Sequence, residues 1–245
     1  MKIKGFTMAE MMIVIAIIGT VAAMTIPTLR LNIEQNKTVA AVKKAYNTLE
    51  NANAMLLATN DARSIRTICG DELYLKCLVD KGILKASPIE IDSTYVVKAF
   101  GGKSYKVPHN QRDHQYLGKE GFLYQTYYEQ DPLYGNKHWR NAGHFEGLRE
   151  ARFGDKFTSV LVDINGLQKP NTFAKDIFLF HIDERGEAIP SGSAVHAQWM
   201  GNVDYETEPY WKEKCSATQV TVWGQDCAGS IIDNNKMIYL NAKIK

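Results

Sequence analysis

Met1-Lys-Ile-Lys-Gly-Phe-Thr-Met-Ala-Glu-Met-Met-Ile-Val-Ile-Ala-Ile-Ile-Gly-Thr-Val-Ala-Ala-Met-Thr-Ile-Pro-Thr-Leu-Arg30 opens the chain. It divides into a short basic leader holding Lys2 and Lys4, the pair Gly5-Phe6, one carboxylate at Glu10, and an uncharged apolar run from Met11 to Ile26. About twenty apolar residues span a bilayer as a helix, since a rise of about 1.5 Å per residue must cover roughly 30 Å of hydrocarbon. Lys2 and Lys4 fit a cytoplasmic N-terminus. Glu10 is the anomaly. A carboxylate inside hydrocarbon costs about 2.5–3.5 kcal/mol on insertion scales, so it calls for a compensating partner. A secretory signal peptide would carry its small-residue cleavage site after the apolar stretch. A single-pass anchor with an incidental glutamate is the plain alternative.

The arrangement resembles a type IV prepilin or type II secretion pseudopilin, whose pattern is G-F-[ST]-x-x-E followed by about twenty apolar residues. The resemblance implies a cut between Gly5 and Phe6, ahead of the apolar helix, which then stays on the mature protein. Gly5 would be required because the crowded site of the prepilin peptidase tolerates no side chain. Phe6 would become the new N-terminus, commonly N-methylated in this family. Glu10 would pair with the Phe6 amine of a neighbouring subunit, or with its own before assembly, neutralising two charges that apolar packing excludes. Met8 and Ala9 stand where Leu and Ile or Val are more usual.

Loss of the leader would lower the 29 basic residues to the number of acidic ones, 27, leaving a formally neutral chain. Neutrality argues against a chain-wide electrostatic grip on nucleic acid. Past the apolar run, Pro27 is expected to kink the helix rather than end it, because helical pattern resumes at once. Val39, Val42, Tyr46, Leu49 and Leu56 form an apolar stripe that Asn53 interrupts, while Lys43, Lys44, Asn47, Glu50 and Asn51 lie largely off it. The expected division is leader 1–5, membrane-spanning or filament-core helix 6–29, amphipathic continuation 30–58 and exported globular domain 59–245.

The remainder reads as short strands and long polar loops. Strands are expected at Thr94–Phe100, at Ser159–Val162 before the Asn165-Gly166 turn, and at Ile177–Ile182 in a hairpin with Ala188-Ile-Pro. A second hairpin is expected from Ser230-Ile-Ile-Asp and Lys236–Leu240 around Asn234-Asn235. The stretch from Gly102 to Phe157 has no usable period and reads as a variable, exposed insertion. One long N-terminal helix on an antiparallel sheet with long loops is an α+β architecture, and the resemblance implies the type IV pilin-like version of it.

Val162-Asp-Ile-Asn-Gly166, Lys169-Pro-Asn171, Lys175-Asp-Ile-Phe178 and Cys227-Ala-Gly-Ser-Ile-Ile232 with Lys236-Met-Ile-Tyr239 resemble the C-terminal half of a large bacterial group of pilin-like proteins. That group carries a D-x-N-G…P-N…D-x-F pattern and a closing Cys-containing hairpin. Asp163, Asn165 and Asp176 are candidate oxygen ligands for calcium, which takes six to eight oxygens, and major pseudopilins hold calcium in a C-terminal loop. The spacing departs from an EF-hand, with Leu167 where an acidic ligand is wanted. The competing account makes Asp163 and Asn165 turn hydrogen-bonders and Gly166 a positive-φ residue. Cys69 with Cys77 and Cys215 with Cys227 form two sequence-local pairs, neither of them C-x-x-C. In an exported domain an even count favours two disulfides, each stabilising by about 2–3 kcal/mol; three connectivities are open to four cysteines, and sequence proximity favours the local one.

No H-E-x-x-H, G-x-S-x-G elbow or Gly-rich phosphate loop occurs in the chain. His138-Trp139-Arg140 with His144 fits the exposed polar aromatics of a loop better than a ligand site. A non-enzymatic filament subunit that needs no cofactor is the favoured expectation. Its implied partners are the prepilin peptidase and N-methyltransferase, other pilin or pseudopilin subunits, the inner-membrane assembly platform and, before assembly, membrane lipid. Its implied location is the inner membrane as a single-pass protein, then a pilus or pseudopilus at the periplasm or cell surface. The alternative is a membrane-anchored binding or enzymatic ectodomain that uses a prepilin-type export signal.

Overall fold

The computed structural model describes residues 7–70, 73–91, 95–102, 104–106, 115–126, 157–199, 211–221 and 224–244. Its helices are α1 (Met8–Thr59), α2 (Ile65–Cys69), α3 (Tyr74–Asp80), α4 (Ala194–Trp199), α5 (Trp211–Lys214) and α6 (Cys227–Asn234). Its strands are β1 (Ala86–Pro88), β2 (Val96–Lys98), β3 (Ser104–Lys106), β4 (Gln115–Gly118), β5 (Leu123–Thr126), β6 (Phe157–Asp163), β7 (Ile177–Asp183), β8 (Ala188–Pro190), β9 (Gln219–Val220) and β10 (Lys243–Ile244). The chain forms two compact units, Met1–Lys37 and Thr38–Lys245.

In the first unit α1 runs through Pro27, as the resumed helical pattern demands. Met11, Ile13, Ile17, Ile18, Val21, Ile26 and Leu29 are all exposed among the described residues, so this segment presents apolar side chains on every side. It is long and apolar enough to cross a membrane. A helix apolar all round is soluble only when other helices or lipid surround it.

The second unit is a six-stranded sheet in the order β1-β4-β5-β6-β7-β8, antiparallel throughout. The α1 stripe is buried on one face of it: Val39, Val42, Ala45, Leu49, Ala52 and Leu56 share a core with Tyr124, Val160, Val162, Phe178, Phe180 and Ile182. Strand alternation explains the choice, since those sheet residues point one way and Leu123, Leu161, Ile177 and Leu179 the other. Ile91, Tyr95, Val97 and Phe173 cover the second face. Strand β7 is therefore buried on both sides, which is why it reads as a nearly unbroken apolar run. Asn53 does not interrupt the α1 stripe. It is fully buried and accepts the Tyr74 hydroxyl proton at 2.6 Å, tying α3 to the helix.

Two expectations are corrected. The closing hairpin is absent: Cys227–Asn234 is helical, and Asn235 at φ 54° ends it as a left-handed C-cap. Cys227, Ala228, Gly229, Ser230 and Ile231 are all buried, so tertiary packing supports a helix that the short β-branched pair Ile231-Ile232 hid. The supposed insertion after Gly102 contains β4 and β5, interior strands whose Tyr116, Leu123 and Tyr124 are core residues. The turn Gly118-Lys-Glu-Gly121 joins them, with Gly121 at φ 87°.

Candidate functional site

Thr7 precedes the first turn of α1 and Glu10 lies within that turn. The Thr7 backbone N–H and its hydroxyl both donate to Glu10 Oε2, each at 2.8 Å. In return the Glu10 N–H donates to Thr7 Oγ1 at 3.3 Å. The Thr7 carbonyl accepts the Met11 N–H at 3.1 Å, the first bond of the helical ladder. This is a capping box: Thr-x-x-Glu satisfies the orphan donors at a helix start reciprocally. Inside a bilayer such donors have no water to turn to, and each one left open costs several kcal/mol. Glu10 thus has a local task in this chain besides any partner in trans. Thr7 is the residue that sequence reading undervalued, although the signal, Thr three residues before Glu, stood in the open. Gly5 and Phe6 lie outside the described residues.

The four cysteines form two disulfides, Cys69–Cys77 between α2 and α3 and Cys215–Cys227 between α5 and α6. All four are buried. Helix α2, which ends in Cys69, starts at the β7–β8 turn, where the Ile65 N–H donates to the Glu184 carbonyl at 2.7 Å.

Asp163, Asn165 and Asp176 come together where β6 leaves the sheet. Asp163 Oδ2 accepts the Tyr95 hydroxyl at 2.7 Å and Oδ1 accepts the Asn165 N–H at 3.1 Å. Asp176 Oδ2 accepts Asn165 Nδ2 at 2.9 Å and the Asn171 N–H at 2.8 Å, while Oδ1 accepts the Thr172 N–H. Gln125 Nε2 donates to the Tyr95 hydroxyl oxygen at 3.1 Å and extends the network under the sheet. Burial pushes the Asp163 carboxyl up to about 8, and it also raises Asp176 against the pull of its N–H partners. Gly166 takes φ 67°, and a Cβ there would meet the Gly121 carbonyl oxygen at 2.4 Å. The loop is a hydrogen-bonded knot that fixes the exit of β6 against the β4–β5 turn. His109, His114, His138, Trp139, Arg140 and His144 lie outside the described residues.

The family described as the prokaryotic N-terminal methylation motif matches residues 1–26. The match spans the leader, the Gly5-Phe6 junction, Glu10 and the apolar run, and it identifies a prepilin-type export signal at this end of the chain. No curated protein and no solved structure matches the chain.

Proposed function

We propose that the chain is a structural subunit, a pilin, minor pilin or pseudopilin, of a type IV pilus or type II secretion-like filament. Prepilin peptidase cuts between Gly5 and Phe6, the new amine is methylated, and subunits join through the apolar helix on the inner-membrane assembly platform. The carrying observation is the methylation motif at residues 1–26 leading into a helix that is exposed and apolar on all sides. Such a surface is stable in lipid before assembly and among its own copies afterwards, so the same residues serve both states. The exported unit then decorates the filament at the periplasm or cell surface. The reading is non-enzymatic and needs no cofactor. In support, every oxygen of the Asp163 and Asp176 carboxyls accepts an N–H or O–H within the chain, so both groups are held in place without an ion. A thermal midpoint raised by millimolar calcium and restored by chelator would overturn the cofactor-free part.

Glu10→Gln is the decisive variant for assembly. It removes the intramembrane charge, so insertion should be at least as efficient as in the wild type. Assembly should fall, because the incoming Phe6 amine loses its counter-charge in an apolar core. The measurement is the ratio of sheared filament to membrane-bound protein at equal expression and equal leader cleavage. An unchanged ratio would put an anchored ectodomain in place of the filament subunit.

A further inference from the structure

Two imidazoles that the filament reading does not use are stacked inside the exported unit. His181 on β7 and His196 on α4 have ring centroids 4.3 Å apart and planes 25° apart, and both residues are buried. The surrounding elements each bring a group to the pair. From β6, Ser159 Oγ lies 2.9 Å from His181 Nδ1. From the turn after β8, the Gly192 N–H donates to His196 Nδ1 at 2.9 Å. From the residue ahead of α6, Asp226 Oδ1 stands 3.9 Å from His196 Nδ1 and accepts the Ser191 hydroxyl at 2.9 Å. The Gly192 bond fixes the tautomer: Nδ1 of His196 must carry its lone pair, and Nε2 carries the hydrogen. Any further proton has to enter at Nδ1, where it would point at an N–H instead of accepting from it.

The anchoring of the neighbourhood is uneven. The Trp211 N–H donates to the Gly192 carbonyl at 2.6 Å, so the chain leaves and re-enters at one place on either side of α4. Next to it the Gly229 N–H donates to the Ser191 carbonyl at 2.8 Å, and Cys215–Cys227 crosslinks α5 to α6. The base is locked by backbone and disulfide, and the His196 ring ties α4 to it through the Gly192 N–H, with Ser193 Oγ accepting the His196 N–H at 3.2 Å.

We propose that His196 is an acid-released latch: a proton on its Nδ1 breaks the bond from Gly192, expels the ring from beside His181, and frees Ala194–Trp199 while the sheet and α6 stay folded. Burial lowers the proton affinity of both imidazoles, His196 lowers that of His181 further, and Asp226 works in the opposite direction on His196. Neutral imidazole is therefore the form the folded site selects. The stability it contributes is complete above the unfolded value near 6.5 and is lost as pH falls below it.

The test is hydrogen–deuterium exchange on the full mature chain in detergent micelles from pH 7.5 to pH 5, corrected for the intrinsic pH dependence of exchange. One proton taken up on opening should raise the opening constant of peptides covering 194–199 over that range, by up to about thirtyfold, with peptides covering 227–234 and 177–183 unchanged. His196→Asn keeps a short acceptor for the Gly192 N–H and cannot titrate, so its 194–199 peptides should show no pH dependence. The wild-type measurement stands without the variant. Flat exchange at 194–199, parallel opening of α6 and β7, or a variant as pH-dependent as the wild type would each overturn the latch.

Discussion

Thr7 and Asp163 are single residues whose replacement has a computable direction. Thr7→Val removes the hydroxyl that donates to Glu10 Oε2 and accepts the Glu10 N–H, and losing an N-cap costs about 0.5–2 kcal/mol. Thr7→Ser retains both bonds. The valine variant should therefore fray the first turn and reduce assembled filament, with the serine variant near wild type, read from sheared filament at equal cleavage. Equal yields for the two would deny the capping box a role. Asp163 is legible through pH. Its carboxyl titrates at about 8 in the fold and near 3.9 when unfolded, so the folded chain binds that proton more tightly. The associated stability is complete below about pH 4 and is lost as pH rises through about 8. The urea midpoint should fall between pH 6 and pH 9, and Asp163→Asn should flatten that slope. An identical slope in the variant would remove Asp163 as its cause.

Among the elements, α6 depends most on a close approach that its own residues do not advertise. A Cβ on Gly229 would lie 2.5 Å from the Ser193 backbone nitrogen, and one on Gly192 would lie 2.1 Å from the Asp226 carbonyl oxygen. Both neighbours are main chain, so neither can rotate away. Gly229→Ala should destabilise the exported unit by about 1–3 kcal/mol, the range for overpacking, measured as a lower urea midpoint at constant slope. An unchanged midpoint would mean that α6 moves freely against the β8–α4 turn. This also explains what was legible in the chain and what was not. Strands β6, β7 and β8 could be read because β-branched and aromatic runs end in Asn165-Gly166 and Asp183-Glu-Arg-Gly186. Strands β4 and β5 were hidden because each has only four residues and polar Gln115 and Gln125 alternate with buried tyrosines. Helix α6 was hidden because Ile231 and Ile232 carry a strand preference that burial beside a disulfide overrides. At the site, the spacing of Thr7 and Glu10 was visible, whereas the encounter of Tyr95 with Asp163 spans 68 residues and belongs to topology alone.

On the scale of the whole molecule, the question is where the exported unit begins. The helical pattern sets the globular domain off at residue 59, after the amphipathic helix, and the compact unit begins at Thr38. The difference is the α1 segment that supplies Val39, Val42, Ala45, Leu49, Ala52 and Leu56 to the core, together with Asn53, the partner of Tyr74, and Glu50, whose carboxylate accepts the Ala188 N–H. Truncating a single buried leucine costs about 2–5 kcal/mol, and a domain has only about 5–15 kcal/mol in total. Removing two leucines and four smaller apolar residues exceeds that margin and strips one face of the sheet. A fragment 38–245, exported behind a cleavable signal, should therefore fold without the apolar segment, form Cys69–Cys77 and Cys215–Cys227, and leave the membrane fraction. A fragment 60–245 made the same way should be degraded or aggregate. Near-UV circular dichroism and non-reducing peptide mapping of both fragments decide the boundary. A folded 60–245 would make the helix an accessory to the sheet, and an unfolded 38–245 would mean that residues before Thr38 are needed to hold the unit together.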